Sequence, residues 1–154
     1  MTDDERWIAE ALVVAREAAS AGEVPVGAIV VRDGVAIARA GNRTVRDQDP
    51  TAHAEVLALR GAAVALGTWR LTDCVLYVTL EPCAMCAGAS VLARVKGVVF
   101  GAWDKKGGGA GSIVDIFSLP QLNHRVDVFG GVLMEESARL LNGFFAALRS
   151  STPG

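Results

Sequence analysis

The hydrophobic residues of this chain recur with two different periods, one typical of helices and one typical of strands. From Asp4 to about Ala21, apolar residues recur every three or four positions, which predicts an amphipathic helix that stops at Gly22. Two β-branched runs follow, VGAIVV and GVAIARA, joined by Arg32-Asp33-Gly34. Because Asp-Gly between two such runs favours a tight turn, we expect a β-hairpin here.

The remainder of the chain alternates helical and strand-like segments. The polar segment GNRTVRDQDP indicates a loop, after which Thr51 is a suitable N-cap for a helix that ends at Gly67. CVLYVTL predicts a third strand, and Pro82 is then expected near the first turn of the helix CAMCAGASVLARV. The later segments predict a fourth strand, a flexible loop, a short helical stretch, a fifth strand and a last helix: GVVFGA, DKKGGGAGS, IVDIFS, VDVF and MEESARLLNGFFAALR.

The order of these elements predicts one α/β domain. Alternating strands and helices favour a three-layer α/β/α sandwich built on one mixed five-stranded sheet. Hydrophobic residues make up 51% of the 154 residues and charged residues 21%, which is enough apolar material for a proper core. We expect a single domain over residues 1–150, with residues 151–154 as a frayed tail.

Charge and targeting signals limit the partners and the compartment. A net charge of −2 and a pI of about 5.7 argue against a non-specific polyanion binder, although a short, shaped RNA could still be bound by a local patch. The N-terminus MTDDERWIAE lacks the basic and apolar regions of a signal peptide, and no apolar run reaches the roughly 18 residues of a membrane span. We therefore expect a soluble cytoplasmic protein that does not contact a membrane.

The cysteines are the first candidate chemistry. There are three of them, an odd number that matches a disulfide framework poorly. Cys83 and Cys86 form C-x-x-C, a spacing that indicates metal ligation or thiol redox chemistry in a reducing compartment. Cys74 lies in the apolar run CVLYV and is expected to be a small buried residue on a strand. With His53, the C-x-x-C pair would supply the three protein ligands of a catalytic zinc, which keeps one position open for water.

The spacing of these residues restricts where they lie. Cys83 and Cys86 are three positions apart, about 60° around a helix, and the positive helix N-terminus favours thiolates. Within a regular helix, His53 and Glu55 would diverge by roughly 200°. We therefore expect this pair to straddle a helix start, with His53 on the metal and Glu55 near the zinc-bound water, moving protons without ligating zinc.

This donor set indicates hydrolytic deamination. Zinc lowers the pKa of bound water towards about 7, and a nearby carboxylate can move the protons of the reaction. H-x-E together with P-C-x-x-C is the signature of zinc-dependent base deaminases. A structural zinc site would instead need four protein ligands, whereas His124 lies in a distant loop and Cys74 on an apolar strand. We expect one Zn²⁺ per subunit.

Beyond these motifs, the sequence resembles a known family over most of its length. The sequence closely resembles the bacterial tRNA-specific adenosine deaminases, of the cytidine deaminase-like superfamily, through GEVPVGAIVV, GNR, DPTAHAE, LYVTLEPCAMCAGA, VVFGAWD, the Gly-rich loop and LPQLNHRV. The resemblance implies a homodimer that binds a tRNA anticodon stem-loop. It implies conversion of the wobble adenosine to inosine, expected in tRNA-Arg with an ACG anticodon, through attack of zinc-bound hydroxide on C6 and release of ammonia.

The resemblance also implies substrate contacts. Asn42 matches the position that hydrogen-bonds the flipped-out base or its ribose, and Val26 would line the base pocket. Contacts around the target nucleotide and with the anticodon stem-loop would come from Asp104, Lys106, Phe145 and Arg149. From the residues alone, Asn42 would be an ordinary loop residue and DKK a solvated loop. Whether Phe144 or Phe145 faces the substrate stays open.

Some alternatives remain at this point. Trp103 stands before Asp104 where a polar or basic residue is expected; it could stack on a base, but we favour packing at the dimer edge. A deaminase of a free nucleobase or nucleotide, of the guanine or cytosine type, would share the zinc site. A non-catalytic zinc-binding partner subunit is the other alternative, although it would have no need of Glu55.

Overall fold

The computed structural model describes residues 1–151. Its elements are α1 (Asp3–Ser20), β1 (Gly27–Arg32), β2 (Val35–Gly41), α2 (Ala54–Leu66), β3 (Val75–Leu80), α3 (Ala84–Leu92), β4 (Gly97–Ala102), a short 3-10 helix (Ile116–Ser118), β5 (Asp127–Phe129) and α4 (Met134–Ser151). Ser151 still belongs to α4, so the expected frayed tail does not begin there; residues 152–154 lie outside the described part. None of the described helices combines the length and apolar character that a membrane crossing requires.

The five strands form one mixed sheet, as predicted, in the order β2-β1-β3-β4-β5. Strand β1 pairs antiparallel with both β2 and β3. Strand β4 runs parallel to both β3 and β5. Since β3 and β4 are parallel, their C-terminal ends meet at the same edge of the sheet, and the segments that leave this edge are neighbours.

Alternating side chains build the two faces of the sheet. One face packs on α2 and α3, through a buried cluster that includes Ala28, Val30, Leu76, Val78, Val98 and Phe100. The other face packs on α1, with Leu140 of α4 at its margin, through Ile29, Val31, Tyr77 and Val99. Helices cover both faces, which confirms the predicted three-layer α/β/α sandwich.

Turn and helix starts show where local sequence signals hold and where they fail. Asp33 and Gly34 have φ values of 51° and 74°, both positive as a type I′ hairpin requires. The prediction that Thr51 caps α2 is wrong, because the N-cap is His53 and the Thr51 hydroxyl donates to the Asp49 carboxylate at 2.7 Å. Pro82 lies near the first turn of α3, as predicted, directly before the N-cap residue Cys83.

Gly27 allows α1 to lie directly on β1. A Cβ atom at this position would stand 2.1 Å from the carbonyl oxygen of Ala11 and 2.7 Å from the amide nitrogen of Ala15, both backbone atoms of α1. The Gly27 amide donates to the hydroxyl of buried Thr79 at 3.2 Å, which also ties β1 to β3. The close approach of helix and sheet therefore depends on a missing side chain.

We predict that Gly27→Ala lowers the free energy of unfolding by about 2 kcal/mol or more, because α1 would have to move away from the sheet. Gly143→Ala is the matched control. Gly143 lies inside α4, and no described atom would fall within 4 Å of the new Cβ, so alanine should stabilise by about 0.5–1 kcal/mol. Urea unfolding measures both; equal effects of the two substitutions would contradict the packing argument.

Candidate metal centre and substrate groove

His53 lies at the start of α2 in extended backbone. Its φ and ψ are −77° and 148°, so the His53-Ala54-Glu55 segment straddles the helix start as the spacing predicts. The helix is capped from elsewhere: the Asn42 side-chain oxygen accepts the Ala54 N–H at 2.8 Å. The Asn42 amide nitrogen donates to the Val24 carbonyl at 3.2 Å. Asn42 therefore ties the start of α2 to the segment before β1.

The C-x-x-C cysteines meet His53 at the start of α3. Cys83 is the N-cap of this helix, and Cys86 lies buried in its first turn. Both Sγ atoms lie 3.6 Å from His53 Nδ1. The three ligand atoms all fall within 4.8 Å of one another. One imidazole and two thiols at these distances suit a single zinc ion, so the structure brings the predicted ligands together.

The other candidate ligands point elsewhere. His124 Nε2 lies 2.7 Å from the backbone carbonyl oxygen of Val95, and Cys74 is buried in the core cluster between the sheet and α2. Within residues 1–151, the cluster of three or more potential ligands consists of His53, Cys83 and Cys86. Three protein ligands match a catalytic zinc site, which keeps a position open, better than a structural one.

Hydrogen bonds within the cluster shift the pKa values of its members. Hydrogen bonds from Cys86 and His53 lower the pKa of the Cys83 thiol to about 3. The hydrogen bond that Cys86 makes with Cys83, together with burial, raises the pKa of Cys86. The hydrogen bond with Cys83 also raises the pKa of His53. A divalent cation among these groups would favour both thiolates, because a coordinating thiol is deprotonated.

Glu55 stands beside the cluster as a buried carboxyl group. Its side chain is only 4% exposed, and burial raises its pKa to about 7. Cys83, His53 and Cys86 all influence its pKa, so the carboxyl lies close to the metal ligands. A carboxyl group that titrates near neutral pH is suited to take up and release protons during a reaction.

Glu81, which the sequence analysis did not single out, fastens the loop after β4. This carboxylate is 2% exposed and stands just before Pro82 and Cys83. It accepts backbone N–H groups from Asp104 at 2.9 Å, Ala110 at 3.0 Å and Ser112 at 3.1 Å, and also the Ser112 hydroxyl. Two sequence features could have indicated this role: a glutamate at the end of an apolar strand, and a Gly-rich loop later in the chain that can supply N–H donors.

The same loop packs directly on the metal-binding helix. A Cβ on Gly108 would collide with the Glu81 carboxylate, and a Cβ on Gly109 would lie 2.7 Å from the Ala84 nitrogen. The Gly109 amide donates to the Pro82 carbonyl at 2.7 Å. The glycines therefore serve close packing, which differs from the flexible loop that the sequence predicts.

Glu23 holds the loop between β2 and α2 in the way that Glu81 holds the loop after β4. Its carboxylate is fully buried and accepts the backbone N–H groups of Val45 at 3.1 Å and Arg46 at 2.8 Å, with the Arg46 side chain 3.3 Å away. Burial opposes ionisation, but the hydrogen bonds from Arg46 and Val45 keep the pKa of Glu23 below its usual value. This glutamate was also missed by the sequence analysis.

A groove of about 750 Å³ opens between α4, the ends of β3 and β4, and the loop that Glu81 holds. It collects four residues that the resemblance implied for RNA contact, namely Asp104, Lys106, Phe145 and Arg149, and also Trp103 and Lys105. The predicted pocket residue Val26 is 4% exposed and packs in the core cluster with Ala54. Phe145 is exposed and Phe144 is half-buried, their rings in edge contact 5.5 Å apart.

Comparisons with known proteins agree with this site. The MafB19-like deaminase family model matches residues 2–149. The tRNA-specific adenosine deaminase of Bacillus subtilis is 50% identical over 97% of this chain and 92% of its own length. A solved tRNA:A34 deaminase, studied for A-to-I editing at the wobble position of transfer RNA, is 49% identical. Its TM-score is 0.85, over 88% of this chain and 99% of that one.

The chain belongs to the tRNA-specific adenosine deaminases. The fold is shared more widely than this family, because the guanine deaminase from Nitrosomonas europaea also superposes on the chain. That protein has a TM-score of 0.78 and 26% identity, over 92% of this chain and 84% of that one. Compared with the tRNA-specific adenosine deaminases, it is the more distant neighbour in sequence.

We predict that zinc retention separates the ligands from Glu55. Wild type should hold about one zinc per chain, and Cys83→Ala should lose most of it because two protein ligands hold zinc poorly. Glu55→Ala should retain zinc, since the carboxylate lies beside the ligands without completing them. Cys74→Ala, at a buried cysteine outside the cluster, is the matched control and should also retain zinc. Elemental analysis of purified protein decides; zinc loss in Glu55→Ala would make Glu55 a ligand.

We also predict that Glu81→Gln frees the loop it holds. An amide offers one acceptor oxygen where the carboxylate offers two, so buried N–H groups lose partners and stability should fall by about 3 kcal/mol. Amide hydrogen exchange over residues 103–115 should accelerate, while the β1–β2 hairpin stays protected. Glu17→Gln, an exposed position on α1, is the control. Unchanged exchange in the loop of the Glu81 variant would contradict its anchoring role.

Proposed function

We propose that this protein deaminates the wobble adenosine of a tRNA anticodon loop to inosine, with tRNA-Arg carrying an ACG anticodon as the expected substrate. The observation that carries the reaction class is the buried Glu55 carboxyl beside three convergent metal ligands. Adenosine in tRNA is the substrate class because relatives of that specificity match nearly the whole chain.

His53, Cys83 and Cys86 would hold the zinc ion. When bound there, zinc would act as a Lewis acid that makes water nucleophilic near neutral pH. Glu55 takes one proton from the attacking water and delivers it to a ring nitrogen of adenine, where it stays in the product. It then takes the second water proton from the oxygen added at C6 and passes it to the leaving amino group. The water oxygen becomes the carbonyl of inosine, and the amino group leaves as ammonia. Burial raises the pKa of Glu55 to about 7, so near neutral pH both the carboxylate that accepts a proton and the acid that donates one are accessible.

The substrate contacts follow from the groove and from Asn42. The target base would be flipped into the site beside Asn42 and Val26, since enzymes of this chemistry take the base out of its stack. The flanking nucleotides would lie along the groove, where Lys106 and Arg149 offer positive charge to phosphates and Phe145 offers an aromatic face. Asp104 shapes this wall, because its Oδ1 accepts the backbone N–H groups of Lys106 and Gly107 at 3.1 and 3.2 Å.

The proposed assembly is a homodimer in the cytoplasm, where thiols stay reduced. The support is the outward face of α3, the helix that carries the cysteines. Met85 and Leu92 are seven residues apart on this helix and therefore share one side, with exposures of 37% and 71%. An apolar face of this kind, on the helix that carries the cysteine ligands, is suited to pack against a second copy.

The tRNA assay tests the proposal directly. Zinc-loaded protein incubated with tRNA-Arg (ACG) should convert one adenosine to inosine, detected by mass spectrometry of the digested nucleosides. Glu55→Ala should reduce turnover by about 10²- to 10⁴-fold, since proton transfer by a positioned carboxyl is lost. The same tRNA with a GCG anticodon is the negative control.

A free base is the second candidate substrate, favoured by the structural likeness to a guanine deaminase. Guanine and cytidine should therefore be assayed in parallel, with ammonia release as the readout. Turnover of either compound, with none on the tRNA, would overturn the proposed function.

A further inference from the structure

Trp103 is a half-exposed tryptophan that the fold holds firmly. Its exposure is 48%, although it follows directly on the buried strand β4. The indole meets the ring of fully buried Phe100 edge-on, with centroids 4.7 Å apart and planes at 88°. Aromatic pairs in this geometry are favourable. The ring is therefore anchored on one side by the core while much of its surface faces solvent.

Open space lies on two sides of the indole. Trp103 lines the 750 Å³ groove together with Lys105, Lys106 and Arg149, and also a second cavity of about 380 Å³ towards β5. Two glycines with positive φ flank it: Cβ positions built on Gly111 and Gly131 would lie 3.9 and 3.8 Å from indole atoms. The indole therefore packs against backbone at these two points, while its groove side stays open.

The charges around Trp103 suit a polyanion better than a protein partner. Lys105 and Lys106 follow it in sequence and are exposed, and Arg149 lines the same groove. Within the groove, Asp104 is acidic, and its Oδ1 accepts backbone N–H groups of the loop. Asp115 and Asp127 line the second cavity, towards β5, and do not line the groove that holds the lysines. The core of a protein interface is depleted in charged residues, lysine above all, whereas cationic grooves with an aromatic platform are typical of single-stranded nucleic acid sites.

We propose that Trp103 stacks on the base of a nucleotide that flanks the target adenosine, with Lys105, Lys106 and Arg149 near the adjoining phosphates. The inference rests on the proposed function, since it concerns the same RNA. It replaces the dimer-edge position favoured from the sequence, and it assigns substrate recognition to a residue placed by the Glu81-anchored loop. Stacking does not depend on base identity, so Trp103 contributes affinity rather than a sequence preference at the flanking position.

The test is binding of an anticodon stem-loop RNA to zinc-loaded protein in a Glu55→Ala background, which prevents turnover. Trp103→Ala should weaken binding about tenfold, within the range that one base–aromatic stack supplies, and Trp103→Phe should recover part of the loss. Trp69→Ala is the matched control: Trp69 is 61% exposed but lies between α2 and β3, outside the groove, and should bind within about twofold of the parent.

Tryptophan fluorescence supplies a readout that a loss of stability would not mimic. RNA should quench the emission of the parent and of Trp69→Phe, but leave that of Trp103→Phe nearly unchanged. Unaltered RNA affinity in Trp103→Ala overturns the inference, as does dissociation of a dimer by that substitution, which would place Trp103 at a subunit contact. If the parent binds no RNA and wild type leaves tRNA unmodified, the proposed function falls as well; tRNA turnover together with normal binding by Trp103→Ala overturns the inference alone.

Discussion

Two helices that begin at the same edge of one sheet determine the rest of this site. His53 and Cys83 are both N-cap residues, a position whose side chain usually accepts a helix N–H group, yet within the described structure neither makes such a bond. Their extended backbones turn both side chains towards a common point, where Cys86 joins them from the first turn of α3. The parallel pairing of β3 with β4, and the antiparallel pairing of β1 with β3, bring these starts together. The metal centre is therefore a property of topology as much as of motif.

Two buried carboxylates hold the loops beside the metal centre in place. Glu23 and Glu81 each stand next to a strand of the sheet, and each gathers N–H groups from one loop beside the metal centre. A buried charge is costly unless it is well hydrogen-bonded, so each loop is held only while its donors stay in place. Asn42 has the same kind of role with a neutral amide, because it links Val24 to the first N–H of α2. The loops around the metal centre are thus fixed by polar contacts rather than by an apolar core.

The sequence was sufficient for features that depend on neighbours along the chain. The Asp33-Gly34 turn, the alternating strands and the His-x-Glu and C-x-x-C spacings all express local geometry, and the structure confirms them. The prediction that Thr51 caps α2 was wrong because threonine is a good N-cap in isolation, whereas here the first N–H of the helix is bound by Asn42, twelve positions before Ala54. The role of Glu81 was missed because its donors lie 23 to 31 residues further along the chain, and only the fold shows which of them it meets. The groove likewise exists only after α4 has packed beside β4, which no local pattern encodes.

Glu81 binds its loop mainly through backbone N–H groups, so the conformation of that loop depends little on which side chains it carries. Three of its four hydrogen bonds come from backbone N–H groups, which every residue except proline carries. Positions 103, 105 and 106 can therefore be exchanged without disturbing the fastening, so long as glycine remains where the loop crosses the carboxylate and the start of α3. One scaffold can in this way present different side chains to different nucleobase substrates over an unchanged metal centre. For anyone redesigning such an enzyme, this loop is the natural place to vary, and Glu81 the residue to leave alone.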